Sequence, residues 1–177
     1  MQNINFIHFS NLTTERLTLR QLSINDQQDV FALRSDPKIN KYLGRQPSKT
    51  IEDAINFINK VNENIEKHTA LYWAITLTET KTFVGTICLF DFSDNKNSCE
   101  IGYELMPKFQ GQGIMKEATQ VVIDYVFQTL KFKKILAVTH CDNQNSTNLL
   151  TKFNFVKSIE NDKENPDLNI FTLTKQN

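Results

Sequence analysis

Apolar and polar side chains alternate along residues 15–22 (ERLTLRQL), with Leu17 and Leu19 on one face. A period of two predicts a strand. Asp26 then caps a short predicted helix carrying Val30, Phe31 and Leu33. Residues 36–47, with Pro37, Gly44 and Pro47, read as irregular. Thr50 followed by Asp53 resembles a capping box, and Ile51, Ala54, Ile55, Ile58, Val61 and Ile65 follow it at helical spacing. The period then changes. Residues 72–78 (YWAITLT) and 83–90 (FVGTICLF) predict two strands joined by the hairpin turn ETKT, and residues 99–106 (CEIGYELM) predict a third strand after the turn DNKNS. Ile114, Ala118, Val121, Val122, Tyr125 and Val126 form a helical stripe. A strand at 135–139, a short helix at 145–152 and strands at 155–159 and 168–173 complete the pattern.

Three consecutive strands suit an antiparallel meander, and the strand–helix–strand unit after it suits a parallel pair. The expected class is therefore α/β, a mixed sheet with helices on its faces. The 177 residues suit one domain, with 40% hydrophobic and 23% charged residues arguing against wholesale disorder. Twenty basic and twenty acidic residues cancel, which argues against a domain built to grip nucleic acid. No apolar run approaches the ~20 residues that span a bilayer. The start, MQNINFIHFS, lacks the pattern of a signal peptide, so the expected location is cytoplasmic. Cys88, Cys99 and Cys141 are too scattered for a disulfide framework, and with three histidines no metal site is expected.

The chemistry concentrates at residues 99–118, CEIGYELMPKFQGQGIMKEA. A strand runs through Pro107 into Gly111 and Gly113 and then directly into a helix. Glycine lets a backbone approach a ligand closely, and the free N–H groups and dipole of a helix start attract phosphate. The loop suits a pyrophosphate cradle, or simply a tight turn. No Gly-Lys-Ser/Thr follows, so it is no Walker loop, and a dinucleotide fingerprint would need a third glycine. Some thirty residues later NQNSTNLLTKFNF places Asn143 and Ser146 around a helix start, ahead of Leu149, Leu150 and Lys152.

Together these two segments, with the opening TERLTLRQLSINDQQDVFAL, resemble the GNAT superfamily of acetyl-CoA-dependent N-acetyltransferases, and within it the RimJ/RimL-type branch. The resemblance covers residues 10–177 as one domain, with 1–9 as an extension. It implies the GNAT fold, a mostly antiparallel sheet splayed at the cofactor cleft and flanked by helices. It also implies that Lys108-Phe109-Gln110-Gly111-Gln112-Gly113 is the cofactor loop, with lysine where Arg or Gln is usual. Backbone N–H groups from Gln110 to Met115, through Ile114, would hold the pyrophosphate of coenzyme A. The pantetheine arm would lie beside Leu105 and Met106, in a gap between residues 100–106 and 135–139. Asn143 would bond that arm, and Lys152 would reach the 3′-phosphate region.

For transfer from acetyl-CoA to an amine, the resemblance nominates Glu100 as base, Glu104 as a second candidate, and the N–H of Glu104 as oxyanion donor. Alternation puts both glutamates on one strand face unless a bulge intervenes near Gly102. Each also reads as a solvated polar residue on a half-exposed strand. Leu150 occupies the position of the usual acidic tyrosine, leaving Ser146, which would otherwise be a helix-cap residue. Asn154 replaces a frequent glycine. Tyr103 reads as packing or pocket wall, His140 as a possible relay, and Cys141 as a conceivable acyl carrier or inert filling. The expected acceptor is a protein or peptide N-terminal α-amino group, with a small amine such as a polyamine or a non-catalytic acetyl-CoA-binding role as alternatives. The substrate side would be residues 36–47, containing Tyr42 and Arg45, and the acidic segment 160–167. A homodimer is frequent in the branch; no membrane or nucleic-acid partner is expected.

Overall fold

The computed structural model describes residues 8–159 and 164–175. Eight strands form one sheet in the order β1-β2-β3-β4-β5-β6-β8-β7. They are β1 (Leu12–Thr13), β2 (Leu17–Gln21), β3 (Leu71–Leu77), β4 (Phe83–Phe90), β5 (Ser98–Leu105), β6 (Lys134–His140), β7 (Val156–Lys157) and β8 (Leu168–Thr174). Every pairing is antiparallel except β5 with β6. The meander and the parallel pair expected from the sequence are both present.

Alternation along the strands sorts the side chains into two layers. Leu17, Leu19, Trp73, Ile75, Ile87, Leu89 and Ile101 join the larger core with Ala118 and Val122 of α4 (Ile114–Asp124). On the other face Ala74 packs with Val30 and Leu33 of α1 (Gln27–Ser35) and with Ala54, Ile58 and Val61 of the long helix over residues 51–66. That helix, α3 (Ile51–Glu66), starts at the capping box read from the sequence, Thr50 with Asp53. Between α1 and α3 the segment expected to be irregular contains one helical turn, α2 (Pro37–Asn40). Asp36 caps it by accepting from Lys38 and Ile39, and Pro37 occupies the first position, where a missing N–H costs nothing.

After α4 the helix widens into π turns over Tyr125–Leu130 and stops at Lys131, which is left-handed at φ 64°. The Tyr125 hydroxyl donates to the His8 carbonyl at 2.7 Å, and Trp73 Nε1 donates to Ser10 O at 2.8 Å, so residues 8–10 lie on the core. α5 (Gln144–Lys152) follows β6. The expected strand at 155–159 shrinks to the two residues of β7, both exposed on the sheet edge, where little packing rewards extension. No helix among the described residues is long and apolar enough to cross a membrane.

Candidate active site

The parallel pairing of β5 and β6 lasts three residues, Ser98–Glu100 against Lys134–Leu136. Beyond it β5 stays paired with β4 to Leu105, and β6 stays paired with β8 to His140. The two strands therefore part at the centre of the sheet, leaving the β6-facing edge of residues 101–105 without ladder partners there. No register shift interrupts β4–β5, so Glu100, Gly102 and Glu104 share one face and Tyr103 lies on the other. The N–H of Met106 donates to Val84 O at 2.9 Å. Strict alternation of an antiparallel ladder then turns the N–H of Glu104 toward β4 and that of Leu105 toward the gap. The N–H of Glu104, expected to face the acyl oxygen, thus turns to β4, and the N–H that faces the gap is that of Leu105.

At the end of β5 the chain enters the glycine loop. Met106 is buried, and its carbonyl accepts the N–H of Phe109 at 2.9 Å, closing a 3₁₀ turn. Gly111 and Gly113 both have φ 75°, a left-handed backbone that favours glycine. Gly113 sits immediately before α4, and the first helical bond runs from Glu117 N–H to Gly113 O at 3.0 Å. The N–H groups of Ile114, Met115 and Lys116 have no partner within the helix, as at every helix start. Gln110 Nε2 donates to Leu105 O at 3.1 Å and Gln112 Nε2 to Lys108 O at 2.9 Å, tying the loop to itself. Around Gly111 a Cβ would meet nothing within 4 Å. A phosphate fits this loop: open space, left-handed glycines and helix-start donors coincide. The Ile114 side chain is buried and Met115 packs on the core, so only their main chains can face a ligand. Lys108 lies over the Phe109 ring at 5.0 Å, and its charge acts on Asp29 in α1.

Arg16 is a residue that sequence reasoning missed. Its Nη1 donates to the Gln112 carbonyl at 3.2 Å, and its Nε to Glu117 Oε2 at 2.7 Å. It thus fastens the loop's outer carbonyl and first helical turn to the start of β2, holding the N–H groups on the opposite side. Arg16→Ala is expected to raise the KM for acetyl-CoA about tenfold, the loss of roughly one charge-assisted bond, with kcat little changed. Steady-state kinetics at varied acetyl-CoA checks this; an unchanged KM would show that the clamp does not shape the loop.

Across the gap stands the N-terminus of α5. Asn143 Oδ1 accepts the N–H of Ser146 at 3.2 Å, so Asn143 is the helix cap. That leaves the Ser146 hydroxyl for a different partner, the Tyr103 hydroxyl on β5, at 2.8 Å. Burial pushes the Tyr103 phenol up to about 12, against the lowering effect of Ser146, so its proton stays on at neutral pH. Leu150 is fully buried in the larger core and presents no polar atom. Asn154 adopts φ 61°, the left-handed turn asparagine tolerates. Lys152 is exposed in the last turn of α5, where a cation complements the helix dipole. It lies about 9 Å along the axis from Ser146 at 1.5 Å per residue.

The other side of β5 is covered by the segment after α2. Arg45 Nη1 pairs with Glu104 Oε1, and Arg45 Nε donates to Asn40 Oδ1 at 2.8 Å. Asn40 is itself fixed, its amide donating to Arg34 O and Asp36 O at 2.8 Å each. Arg34 lies with its guanidinium 3.7 Å above the Phe57 ring. Burial, and then the charge of Arg45, lowers the Arg34 pKa against the raising effect of Glu104. Burial, and then Glu104, pushes the Cys88 thiol up to about 12, so it stays a packed, neutral group. Farther along, the Tyr42 ring meets His140 at 5.5 Å between centroids, so the same segment touches the ends of both β5 and β6. The His140 Nδ1 accepts the Asp142 N–H at 3.2 Å. His140, Cys141 and Asp142 bring one ligand atom each within 4.8 Å of one another, as consecutive surface residues do. Of the acidic segment 160–167, residues 160–163 lie outside the described residues.

A sheet split after its parallel rungs, with a glycine loop entering a helix at the split, defines a class of acyl-transfer enzymes. The family model described as "Acetyltransferase (GNAT) domain" matches residues 16–156. The chain is 33% identical over 149 residues to the uncharacterized N-acetyltransferase YoaA of Bacillus subtilis, covering 84% of each. It is 25% identical to the ribosomal protein uS5 alanine N-acetyltransferase of Escherichia coli, over 82% of this chain and 78% of that one. A solved acetyltransferase of the GNAT family from Bacillus anthracis superposes with a TM-score of 0.81 at 24% identity, covering 93% of this chain and 98% of its own. The chain belongs to the GNAT family of acetyltransferases, and it is an acetyl-CoA-dependent N-acetyltransferase.

Proposed function

We propose that the acceptor is the α-amino group at the N-terminus of a protein or peptide, as in the RimJ/RimL-type branch. The observation that carries this reading is the cationic wall beside Glu104. Arg45 holds the Glu104 carboxylate and Arg34 stands next to both. Such a wall repels the several charges of a polyamine and a lysine ammonium more than an α-amino group, a larger share of which is neutral. It also leaves Glu104 engaged, which matters little to an α-amino group of pKa ~8 but much to a lysine near 10.4. The likeness to the uS5 alanine acetyltransferase supports the same reading.

Acetyl-CoA supplies the thioester. The N–H groups from Gly111 to Met115 bind its pyrophosphate, that of Gln110 being donated to Pro107 O at 3.2 Å, and the open edge of β5 beside Leu105 and Met106 takes the pantetheine arm. The Leu105 N–H polarises the acyl oxygen, a donor aimed where negative charge develops. Glu100, at the last parallel rung and about 17 Å of strand from Leu105, takes the amine's proton through a relay of waters. Tyr103 positions the Ser146 hydroxyl, which hydrogen-bonds the departing sulfur in place of the tyrosine that Leu150 displaces. Asn143 fixes the backbone that carries Ser146. Free-thiol release should be at least tenfold faster in kcat/KM with N-terminal peptides than with N-blocked lysine peptides or spermidine, on the strength of the ~2-unit pKa gap. Preference for spermidine or lysine would overturn the assignment.

A further inference from the structure

The wall beside Glu104 holds two guanidinium groups and one carboxylate. Arg45 Nη2 and Arg34 Nε are both buried without a hydrogen-bond partner among the described residues, as is Glu104 Oε2. Arg45 cannot turn freely to answer this, because Asn40 holds its Nε at 2.8 Å and Glu104 its Nη1. Arg34 is flattened on Phe57 at 3.7 Å. The cluster thus sets two half-buried guanidinium groups against one carboxylate, with two buried donor atoms and one buried acceptor unpaired. Buried charge persists where a partner completes it, and a guanidinium's five donors suit a second carboxylate beside the first.

We propose that the acceptor bears a carboxylate within a few bonds of its reacting amine, taken by Arg45 and Arg34. The inference rests on the acetyl-transfer reading above and concerns its acceptor: an acidic peptide start would narrow the peptide reading, and a free amino acid would replace it. Closeness of the two groups follows from position. Arg45 bonds Glu104 directly, and Glu104 precedes Leu105, whose N–H faces the gap. A carboxylate on Arg45 therefore lies near the reacting centre, which suits a peptide beginning with aspartate or glutamate, or a free amino acid. It does not suit the distant C-terminus of a long peptide.

Calorimetry on the full chain saturated with coenzyme A, which cannot transfer, tests the site apart from turnover. Matched probes differ only in the charge: a peptide-amide beginning with aspartate against one beginning with asparagine, and free alanine against alaninamide. The carboxylate member of at least one pair is expected to bind tenfold or more tightly, as charge-assisted bonds allow, and the pair that discriminates identifies the source. Arg34→Gln should reduce the difference to about twofold while asparagine-peptide binding is kept, and Arg34→Lys should restore part of it. Equal affinity within both pairs, binding by neither member, or discrimination that survives Arg34→Gln would overturn the proposal. Carboxylate-selective binding with no thiol release from acetyl-CoA and any probe would uphold the site and sink the transfer reading instead.

Discussion

Gly111→Asp is expected to leave the protein folded and remove its response to acetyl-CoA. The position is left-handed at φ 75°, and a Cβ there meets nothing within 4 Å. Aspartate is among the residues that accept such angles, so the apo melting temperature should fall by only a few degrees. The new carboxylate would stand where the loop's N–H groups and the α4 dipole invite a phosphate. At about a hundredfold excess over Kd, a ligand stabilises the native state by ~2.7 kcal/mol. For a chain of this size that is a rise of roughly 5–10 °C. The variant should lose nearly all of it, by thermal denaturation with and without acetyl-CoA. A retained rise would mean that the pyrophosphate binds elsewhere.

Gly85→Ala should do the reverse and damage the scaffold beneath the chemistry. A Cβ at Gly85 would lie 2.2 Å from the Glu104 carbonyl and 3.0 Å from Leu105 Cα. Both obstacles are backbone, so no rotamer relieves the clash and the end of β5 must move. Overpacking of this kind costs ~1–3 kcal/mol, or some 2–12 °C in melting temperature. The same shift displaces the Leu105 N–H and the Glu104–Arg45 pair. A loss of kcat of about a hundredfold, the usual cost of a misplaced oxyanion donor, is therefore expected at temperatures where the variant is still folded. Wild-type stability together with wild-type turnover would contradict the close approach of β4 and β5 at this point.

Much of the scaffold could be read from the chain because its signals are local. Alternation marked β2, Thr50 with Asp53 marked the start of α3, and two glycines before an apolar stripe marked the loop that enters α4. β1 has only two residues, too few for a period, and α2 is a single turn whose Asp-Pro start was masked by the prolines and glycine around it. The site resisted reading for another reason. Arg45 reaches Glu104 across 59 residues, Arg16 reaches Gln112 across 96, and Tyr103 reaches Ser146 across 43. No spacing rule links such pairs; they meet because strands and helices far apart in the chain are packed side by side. The direction of the Glu104 N–H could not be read because ladder parity depends on which rung Met106 shares with Val84, a fact of pairing rather than of residue type.

The three parallel rungs between β5 and β6 have a consequence for how the protein is made. Strands β1 to β5 stand in the sheet in chain order, β2 meeting β3 across 52–60 residues, and all five precede β6, so they can pair while the remainder of the chain is still being synthesised. β6 and β8 pair with each other along seven residues and reach the earlier strands through only three. The cleft between β5 and β6 therefore lies on the seam where a late-arriving C-terminal unit docks onto an early-formed meander. A chain truncated before β6 would keep its glycine loop yet possess only one wall of the cleft.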